Sequence, residues 1–292
     1  MKKILLIDTS SLLYKSRHTI GNKLSHKEME TGLMFGFFMQ VLKLGNKFKT
    51  NKFVYCLDGN GDGINKRKQL YPDYKFKRTE KTEEERKIDN FFYKKFDEVI
   101  EHLKELGHKN ILSSPGLEAD DVIAAFLLKN PDLQKNSIIV SSDNDFYQLL
   151  GICKGMYLSN KGILYTEKDF FQEWGLTPDE WKKAKSISGC PGDSVPGVPG
   201  VGYKTAVKFI RGELSGKKYE KIVSDEFSET IKLAKKLTNL PFKGTVGSKF
   251  VDDSKDLDFD RFLELCSMYG FNSFISNKEN YNGWKRFFEG SY

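Results

Sequence analysis

The 292-residue chain is predicted to be an α/β protein, with a mostly parallel twisted sheet flanked by helices. Short apolar runs that end in an acidic or small polar residue recur through the first half of the chain. Runs of this kind are typical of buried parallel strands. Stretches with helical periodicity separate them, so right-handed crossovers would connect the strands. After Pro178 the pattern becomes helical.

The individual elements follow from these patterns in chain order. Strands are predicted at 3–8, 53–58, 110–113 and 137–143, and helices at 28–47, 83–106, 122–128, 203–211, 225–238 and 258–270. The helix at 83–106 is the clearest, because its apolar residues share one face. Those residues are Ile88, Phe92, Phe96, Val99, Leu103 and Leu106.

A polar segment at 59–82 separates the second strand from the long helix. It carries seven basic residues (Lys66, Arg67, Lys68, Lys75, Lys77, Arg78 and Lys81), interleaved with Tyr71, Tyr74 and Phe76. The segment is too long for an ordinary connection between a strand and a helix, which indicates a functional role.

Composition limits the classes of protein to which the chain can belong. With 39% hydrophobic and 30% charged residues, it is typical of a soluble globular protein. The net charge of +7 suits a polyanionic partner. The four cysteines lack the spacing of a zinc site. The sequence contains no pattern of a signal peptide and no apolar run long enough to span a membrane. These observations favour a location in a reducing cytoplasm, with the cysteines as free thiols.

Acidic residues recur at places that a parallel sheet would bring together. They are Asp8, Asp58, Glu118, Asp120, Asp121, Asp143, Asp145 and Asp193. Asp8, Asp58, Asp143 and Asp145 lie at or just after the ends of predicted strands, whose carboxyl ends meet at one edge of the sheet. Crowded carboxylates repel one another and need a compensating cation. Hard oxygen ligands prefer Mg²⁺ or Mn²⁺, and two such ions would support hydrolysis of a phosphodiester.

Simpler roles exist for each of these acids taken alone. An acid at a strand end often caps the following helix, and Glu118, Asp120 and Asp121 could only complement a helix dipole. The coincidence of three strand ends with the Glu-Ala-Asp-Asp run favours the metal site.

Together these residues resemble the flap endonuclease and 5′-exonuclease family, especially its bacteriophage and bacterial members. The motifs are Leu57-Asp58, Arg67 with 71–78, Glu118-Ala-Asp-Asp121, 141–145 and 192–202. Each motif alone is weak to moderate, whereas their order and spacing are specific and cover nearly the whole chain.

The resemblance implies a PIN-like α/β nuclease domain over residues 1–180, with an arch at about 59–106. It also implies a helical DNA-binding region over residues 181–292, with a helix–hairpin–helix at about 185–212. By the same resemblance, Asp8, Asp58, Glu118, Asp120 and Asp121 would surround one Mg²⁺ ion, and Asp143, Asp145 and Asp193 a second. Mn²⁺ would be able to substitute.

The arch segment would supply cations and an aromatic ring. Lys75 and Arg78 match the family's basic pair and would offset charge on the phosphoryl oxygens. Tyr74 would stack on a terminal base, and Arg67 and Lys77 would contact the DNA backbone. For Lys66, Lys68 and Lys81 a solvated surface role is favoured.

The glycine-rich stretch before the helix at 203–211 would grip duplex DNA. Gly197, Gly200 and Gly202 allow sharp turns and close approach to a phosphate, and Lys204 and Thr205 lie at the helix N-terminus. The same stretch could be only a packing hairpin. Relatives often hold K⁺ there, so the resemblance also implies a K⁺ site.

One position departs from the family pattern. Cys190 stands where many relatives have an aspartate, three residues before Asp193. Because a thiol is a poor Mg²⁺ ligand, the substitution is expected to weaken the second metal site without abolishing activity.

The sequence therefore predicts a monomeric 5′-nuclease that cuts branched, nicked or 5′-ended duplex DNA in the cytoplasm of a bacterium or phage-infected host. RNA–DNA hybrids are an additional candidate substrate, because backbone contacts discriminate sugars poorly. No membrane partner is expected. Two rivals remain: a structure-specific DNA-binding protein with impaired catalysis, and an RNA-processing nuclease of the related small α/β class.

Overall fold

The structure is a computed structural model that describes residues 2–19, 24–59, 65–76 and 82–292. The strands are β1 (Ile4–Asp8), β2 (Ser25–His26), β3 (Met29–Glu30), β4 (Phe53–Cys56), β5 (Ile111–Leu112), β6 (Ser137–Val140), β7 (Gly155–Leu158) and β8 (Ile163–Tyr165). The first helices are α1 (Thr9–Thr19), α2 (Gly32–Phe48), α3 (Lys66–Leu70), α4 (Glu83–Glu105), α5 (Ala119–Lys129), α6 (Glu167–Trp174) and α7 (Pro178–Ser188). The remaining helices are α8 (Tyr203–Ile210), α9 (Lys217–Val223), α10 (Ser228–Thr238), α11 (Phe259–Tyr269), α12 (Asn272–Ile275) and α13 (Lys278–Glu289).

Six strands form one sheet in the order β5-β4-β1-β6-β7-β8. All neighbouring pairs are parallel except β7 and β8, which form an antiparallel edge. The sheet and its flanking helices confirm the predicted α/β fold class.

The chain places β4 on one side of β1 and β6 on the other, so the strand order reverses at β1. At such a reversal the connections that follow β1 and β6 run to opposite faces of the sheet and leave a crevice at the carboxyl ends of these two strands. Asp8 is the last residue of β1 and therefore lies at this crevice.

Each face of the sheet covers its own hydrophobic core, because successive strand residues point to opposite faces. In β1, Leu5 and Ile7 belong to a first core that includes residues of α2, α4, α11 and α13. Ile4 and Leu6 belong to a second core that includes residues of α5, α7 and α8. The terminal helices α11 and α13 thus pack on the same sheet as the first strand.

Several elements differ from those predicted. The helix expected at 28–47 begins at Gly32, because the residues before it form the β2–β3 hairpin. This hairpin turns through Lys27 and Glu28, both with positive φ. Helix α1, the β7–β8 pair and α13 were not predicted.

The structure also shows the state of the cysteines and the lengths of the apolar helices. The four cysteines are free thiols. Within the described ranges, no helix combines the length and the apolar character needed to cross a membrane.

Candidate metal centre and active site

The end of β1 carries the first acid of the site. Asp8 accepts hydrogen bonds from the backbone N–H of Ser11 (3.0 Å) and the hydroxyl of Ser141 (3.0 Å). Burial, with the nearby charges of Asp58 and Asp143, nevertheless raises the pKa of Asp8 to about 6. The protein alone therefore does not compensate an ionised Asp8.

Asp58 lies just beyond β4 and accepts hydrogen bonds from residues at the starts of two helices. Its Oδ1 accepts from the backbone N–H of Ala119 (2.9 Å), the first residue of α5, and its Oδ2 accepts from the Ser10 hydroxyl (2.9 Å). These bonds fix Asp58 between the start of α1 and the start of α5.

Asp120, in the first turn of α5, is the most strongly perturbed acid of the first group. Its pKa is raised well above the usual value by burial and by the charge of Asp121, with further contributions from Glu118 and Asp145. Four carboxylates therefore act on one another near the helix start. A cation placed among them would lower the free energy of the ionised form.

Glu118 is an acid that the protein itself compensates. Its Oε1 accepts from Lys75 Nζ (2.6 Å) and Asn65 Nδ2 (3.3 Å), and its Oε2 accepts from the Tyr74 hydroxyl (3.0 Å). Burial alone would raise the pKa of Glu118, but Lys75 and Arg67 lower it overall. Glu118 is thus ionised and fixed, with the Lys75 ammonium beside the carboxylate group.

The main chain of Lys75 is also constrained. Its φ of 56° lies in the left-handed region, which is uncommon for a residue other than glycine. Its backbone N–H donates to the Asp193 carbonyl at 2.8 Å. The base of the arch is therefore tied to the glycine-rich stretch. Arg78 and Lys77, predicted to act beside Lys75, lie outside the described residues.

The prediction that Asp121 ligates a metal does not fit its surroundings. Asp121 is fully buried and accepts from Arg67 Nη1 (2.5 Å) and Nη2 (2.9 Å), from the Phe242 backbone N–H (2.7 Å) and from the Glu118 backbone N–H (3.2 Å). With both oxygens engaged, Asp121 is a structural carboxylate that fixes the start of α5.

Arg67 likewise takes a different role from the predicted backbone contact with DNA. It is 2% exposed, and its Nε donates to the Leu237 carbonyl at 2.8 Å. Burial would lower the pKa of Arg67, but its hydrogen bonds and the charge of Asp121 raise it overall. Arg67 therefore fastens the arch base to α5 and α10.

Tyr74 was expected to stack on an exposed base, but it is 3% exposed. Its ring packs in a small cluster with Val195, Ala234 and Leu237. Because neither ring face is open to a base in this structure, the stacking prediction is replaced by a positioning role, in which the Tyr74 hydroxyl orients Glu118.

A second group of acids follows β6. Asp143 caps the 3₁₀ helix Asn144–Leu149, where its Oδ1 accepts from the Asp145 backbone N–H at 2.9 Å. One ligand atom each from Asp145, Cys190 and Asp193 lies within 4.8 Å of the others. The Cys190 thiol donates to Asp193 Oδ2 at 3.6 Å. Three oxygen or sulfur donors therefore face one small volume.

Lys185, on α7, is a member of the second group that the sequence did not reveal. Its ammonium forms a short ion pair with Asp145, and its side chain is almost buried. Burial would lower the pKa of Lys185, but the charge of Asp145 and its hydrogen bond to the ammonium raise it overall. Burial raises the pKa of Cys190 to about 11, so its thiol is protonated at neutral pH. A fixed cation and a neutral thiol thus accompany the second group.

The two groups form one continuous acidic site. Asp8 acts on Asp143, and Asp120 acts on Asp145, across the ends of β1 and β6. Burial and the charge of Asp145 raise the pKa of Asp143, to which Asp193 also contributes. All eight predicted acids therefore meet at the carboxyl edge of the sheet, although Asp121 faces away into its ion pair with Arg67.

A cleft of about 760 Å³ opens beside Asp58. Its walls include Ser10 at the start of α1, and Tyr93 and Phe96 on the long helix α4. The helix expected to form one side of the arch thus borders the carboxylates, and the cleft gives a substrate access to Asp58.

The glycine-rich stretch joins α7 to α8 as a tight hairpin. A Cβ on Gly197 would lie 2.2 Å from the Ser188 carbonyl carbon, and Gly200 has a φ of +79°. A Cβ on Gly202 would meet nothing within 4 Å, so the space at this position is open. Gly202 begins α8 without a side-chain cap, and Lys204 is exposed in the first turn. This helix N-terminus is open to an anion.

Residues 3–175 match the model of the family described as 5′-3′ exonuclease, N-terminal resolvase-like domain. The chain is 29% identical over 211 residues to the 5′-3′ exonuclease of Buchnera aphidicola, covering 72% of this chain and 70% of that protein. It is 27% identical to DNA polymerase I of Bacillus subtilis over 90% of this chain, which spans 32% of the polymerase.

Among solved structures, a similar one is the bacteriophage T5 D15 flap endonuclease in a pseudo-enzyme-product complex with DNA and metal ions. The TM-score is 0.67 at 20% identity, covering 82% of this chain and 89% of that chain. At this identity the likeness concerns the fold.

Proposed function

The chain belongs to the 5′-3′ exonuclease family, and on this premise we propose that it is a structure-specific 5′-nuclease that also cuts 5′ flaps with divalent metal ions. The family's reaction is hydrolysis of DNA phosphodiester bonds. The observation that carries the proposal is the acidic site, in which eight carboxyl groups lie beside three cations of the described residues, Arg67, Lys75 and Lys185. Mg²⁺ is the natural complement, because carboxylate oxygens are hard ligands.

The first group of acids fits a metal ion. Asp8, Asp58 and Asp120 would hold it, with Glu118 beside them. The raised pKa values of Asp8 and Asp120 support this assignment, because the described residues compensate their ionised forms only in part and a cation would stabilise those forms. When bound, divalent ions would activate water and stabilise the leaving oxygen. The T5 flap endonuclease crystal, which contains metal ions, supports the same chemistry.

The second group fits a metal less well. Asp143, Asp145 and Asp193 would hold the ion, but Lys185 already neutralises part of their charge. Cys190 offers a protonated thiol in place of a further carboxylate. We therefore propose that the second ion binds more weakly than the first. Mn²⁺ is proposed to substitute for Mg²⁺ in supporting activity.

Lys75 would act on the reacting phosphate. Its ammonium lies 2.6 Å from Glu118 at the edge of the acidic site, where it could bind a phosphoryl oxygen and offset developing charge. Arg78, three residues further along, is proposed as its partner. Glu118 and Tyr74 hold the ammonium in place, so they are positioning residues.

The hairpin between α7 and α8 would bind the backbone of duplex DNA. Gly197 and Gly200 shape the turn, Gly202 leaves the helix N-terminus open, and Lys204 and Thr205 would contact phosphate. A K⁺ ion bound by backbone carbonyls is part of the proposal. Because such contacts ignore base identity, the substrate would be recognised by shape, and RNA–DNA hybrids would also be cut.

Within this proposal, residues 1–180 carry catalysis with the arch at about 59–106, and residues 181–292 bind DNA through the helix–hairpin–helix at about 185–212. The protein is proposed to act as a monomer in the cytoplasm of a bacterium or phage-infected host.

A flap assay tests the proposal. A duplex with a labelled 5′ single-stranded arm is incubated with the protein and Mg²⁺, and the products are separated on a gel. We expect release of the arm with Mg²⁺, none with EDTA, and a loss of ~100-fold or more in Asp120→Asn. Asp260→Asn, which removes an exposed acid on α11, is the matched control and should cut normally.

Two results would contradict the proposal. Cleavage that persists in EDTA would exclude a metal-dependent reaction. Tight binding of the flap without any cleavage in Mg²⁺ or Mn²⁺ would instead support the rival interpretation, a DNA-binding protein with impaired catalysis.

A further inference from the structure

A groove of about 700 Å³ lies behind the arch base, outside the acidic site. Its rim carries four lysines, Lys232, Lys235, Lys236 and Lys243. Among the described residues that line it, none is acidic; only Glu229, one turn before Lys232, pairs with one of the four ammonium groups (2.7 Å). A concentration of like charge in one concave surface favours a polyanionic occupant.

The floor of the groove is apolar. Leu70, Pro241 and Phe242 form it, and the side chain of Leu70 is 42% exposed. The guanidinium of Arg67 lies 5.1 Å from the centre of the Phe242 ring, which holds the ring in place. An apolar and aromatic floor between cations can take up bases that are not paired, whereas the bases of a duplex are stacked inside the helix.

The groove is connected to the acidic site through short contacts. Leu70 ends α3, the helix that carries Arg67, and Phe242 donates its backbone N–H to Asp121 at 2.7 Å. Asp121 lies next to Asp120 in the first turn of α5. A strand that passes through the active site is therefore close enough to continue into the groove.

We propose that this groove binds the single-stranded 5′ arm of the DNA substrate, with its bases on Leu70 and Phe242 and its phosphates on the lysines. The inference rests on the proposed function and specifies how that function recognises an unpaired arm. Binding of this kind tolerates any sequence, because every base has an apolar face, and it weakens steeply with salt.

The test measures binding in EDTA, so that it does not depend on cleavage. Fluorescence anisotropy compares two substrates: a flap with an arm of about 15 nucleotides, near the upper end of single-strand site sizes, and the same nicked duplex without an arm. The variants are Lys235→Glu/Lys236→Glu for the rim and Leu70→Ser for the floor. Lys278→Glu/Lys285→Glu, on exposed positions of α13, makes the same change in net charge elsewhere.

We expect the rim variant to bind the flap about tenfold or more weakly, and to lose about 0.7 from its salt slope for each phosphate contact removed. Leu70→Ser should weaken flap binding by at least about threefold. Neither variant should change binding of the duplex without an arm, and the α13 control should match the parent on both substrates.

Equal losses on both substrates would overturn the proposal, because the lysines would then contact duplex DNA. Unchanged binding of the flap by Lys235→Glu/Lys236→Glu would overturn it as well. If the rim variant unfolds at a temperature well below that of the parent, Lys235→Ala/Lys236→Ala replaces it, and the same outcomes apply. If the parent binds the arm but cuts no DNA, the proposed function fails while the groove assignment stands.

Discussion

Asp121→Asn is expected to destabilise the protein while leaving metal binding nearly unchanged. The carboxylate of Asp121 is fully buried and accepts four hydrogen bonds, two of them from the Arg67 guanidinium. An asparagine presents an NH₂ group to one of these donors and leaves the Arg67 charge with the more distant Glu118 carboxylate, 3.8 Å away, in place of its bidentate partner. Removing one partner of a buried ion pair costs ~3–5 kcal/mol in free energy of unfolding.

Urea unfolding in EDTA at pH 7, followed by circular dichroism, measures this loss. With an m-value of about 3 kcal/mol per molar urea, the midpoint should fall by about 1–2 M. Calorimetric titration with Mn²⁺, at a temperature where the variant is folded, should give an affinity within about threefold of the parent, because Asp121 has no oxygen free for a metal.

Asp120→Asn is the matched comparison, since it makes the same chemical change one residue away. The raised pKa of Asp120 means that its ionised form is disfavoured in the folded protein without metal. The amide removes that repulsion, so stability in EDTA should not fall, whereas Mn²⁺ affinity should drop. If Asp121→Asn instead keeps the parent's midpoint and loses Mn²⁺ binding as Asp120→Asn does, the reasoning is refuted and Asp121 is a metal ligand.

Three further outcomes are expected. Lys75→Ala should lower turnover on a flap by ~100-fold with little change in DNA affinity, whereas Lys68→Ala should keep the turnover of the parent. Equal turnover by Lys75→Ala and the parent would exclude the catalytic role of Lys75. Cys190→Asp should lower the Mg²⁺ concentration needed for half-maximal cleavage, whereas Cys190→Ser should not change it. If Cys190→Asp needs the same Mg²⁺ concentration as the parent, the second metal site is not weakened by the cysteine. Burial lowers the pKa of His108 to about 3, so the stability that its neutral form provides is complete above pH 6.5 and is lost as pH falls towards 3. Between pH 7 and 5, the parent and His26→Gln should lose about 2 kcal/mol more free energy of unfolding than His108→Gln, because carboxyl groups with raised pKa values, such as Asp8, affect all three proteins alike. Equal pH dependence in the parent and in His108→Gln would disprove this.

The sheet and its acidic edge could be predicted from the sequence because each depends on local order. Runs such as 3–8 and 137–143 are apolar on both faces and end at acids. The same few residues therefore indicate both a buried strand and a carboxylate that could bind a metal ion at its end. The long helix α4 was predicted from its periodicity alone, and the structure adds a capping box formed by Thr82 and Glu85 at its start. By contrast, α1 carries polar residues at several positions and lacks a clear apolar stripe, so its pattern gave no prediction.

What the sequence could not reveal were partners brought together from distant parts of the chain. A basic segment such as 66–78 looks like a solvated surface, yet Arg67 is buried by its pairing with Asp121, 54 residues away. Lys185 pairs with Asp145 across two helices. Neither pairing leaves a mark in spacing or composition, because the energetic reason for each exists only once α5 and α7 have packed on the sheet.

The shared cores bear on how far the chain can be shortened. Phe262, Trp284 and Phe287 cover the same sheet face as Phe53, although more than 200 residues separate them along the chain. A fragment that stopped near residue 175, where the family model ends, would keep every strand but expose that face to water. Uncovered apolar surface of this extent promotes aggregation. The C-terminal helices therefore protect the catalytic sheet from self-association, whatever they contribute to DNA binding.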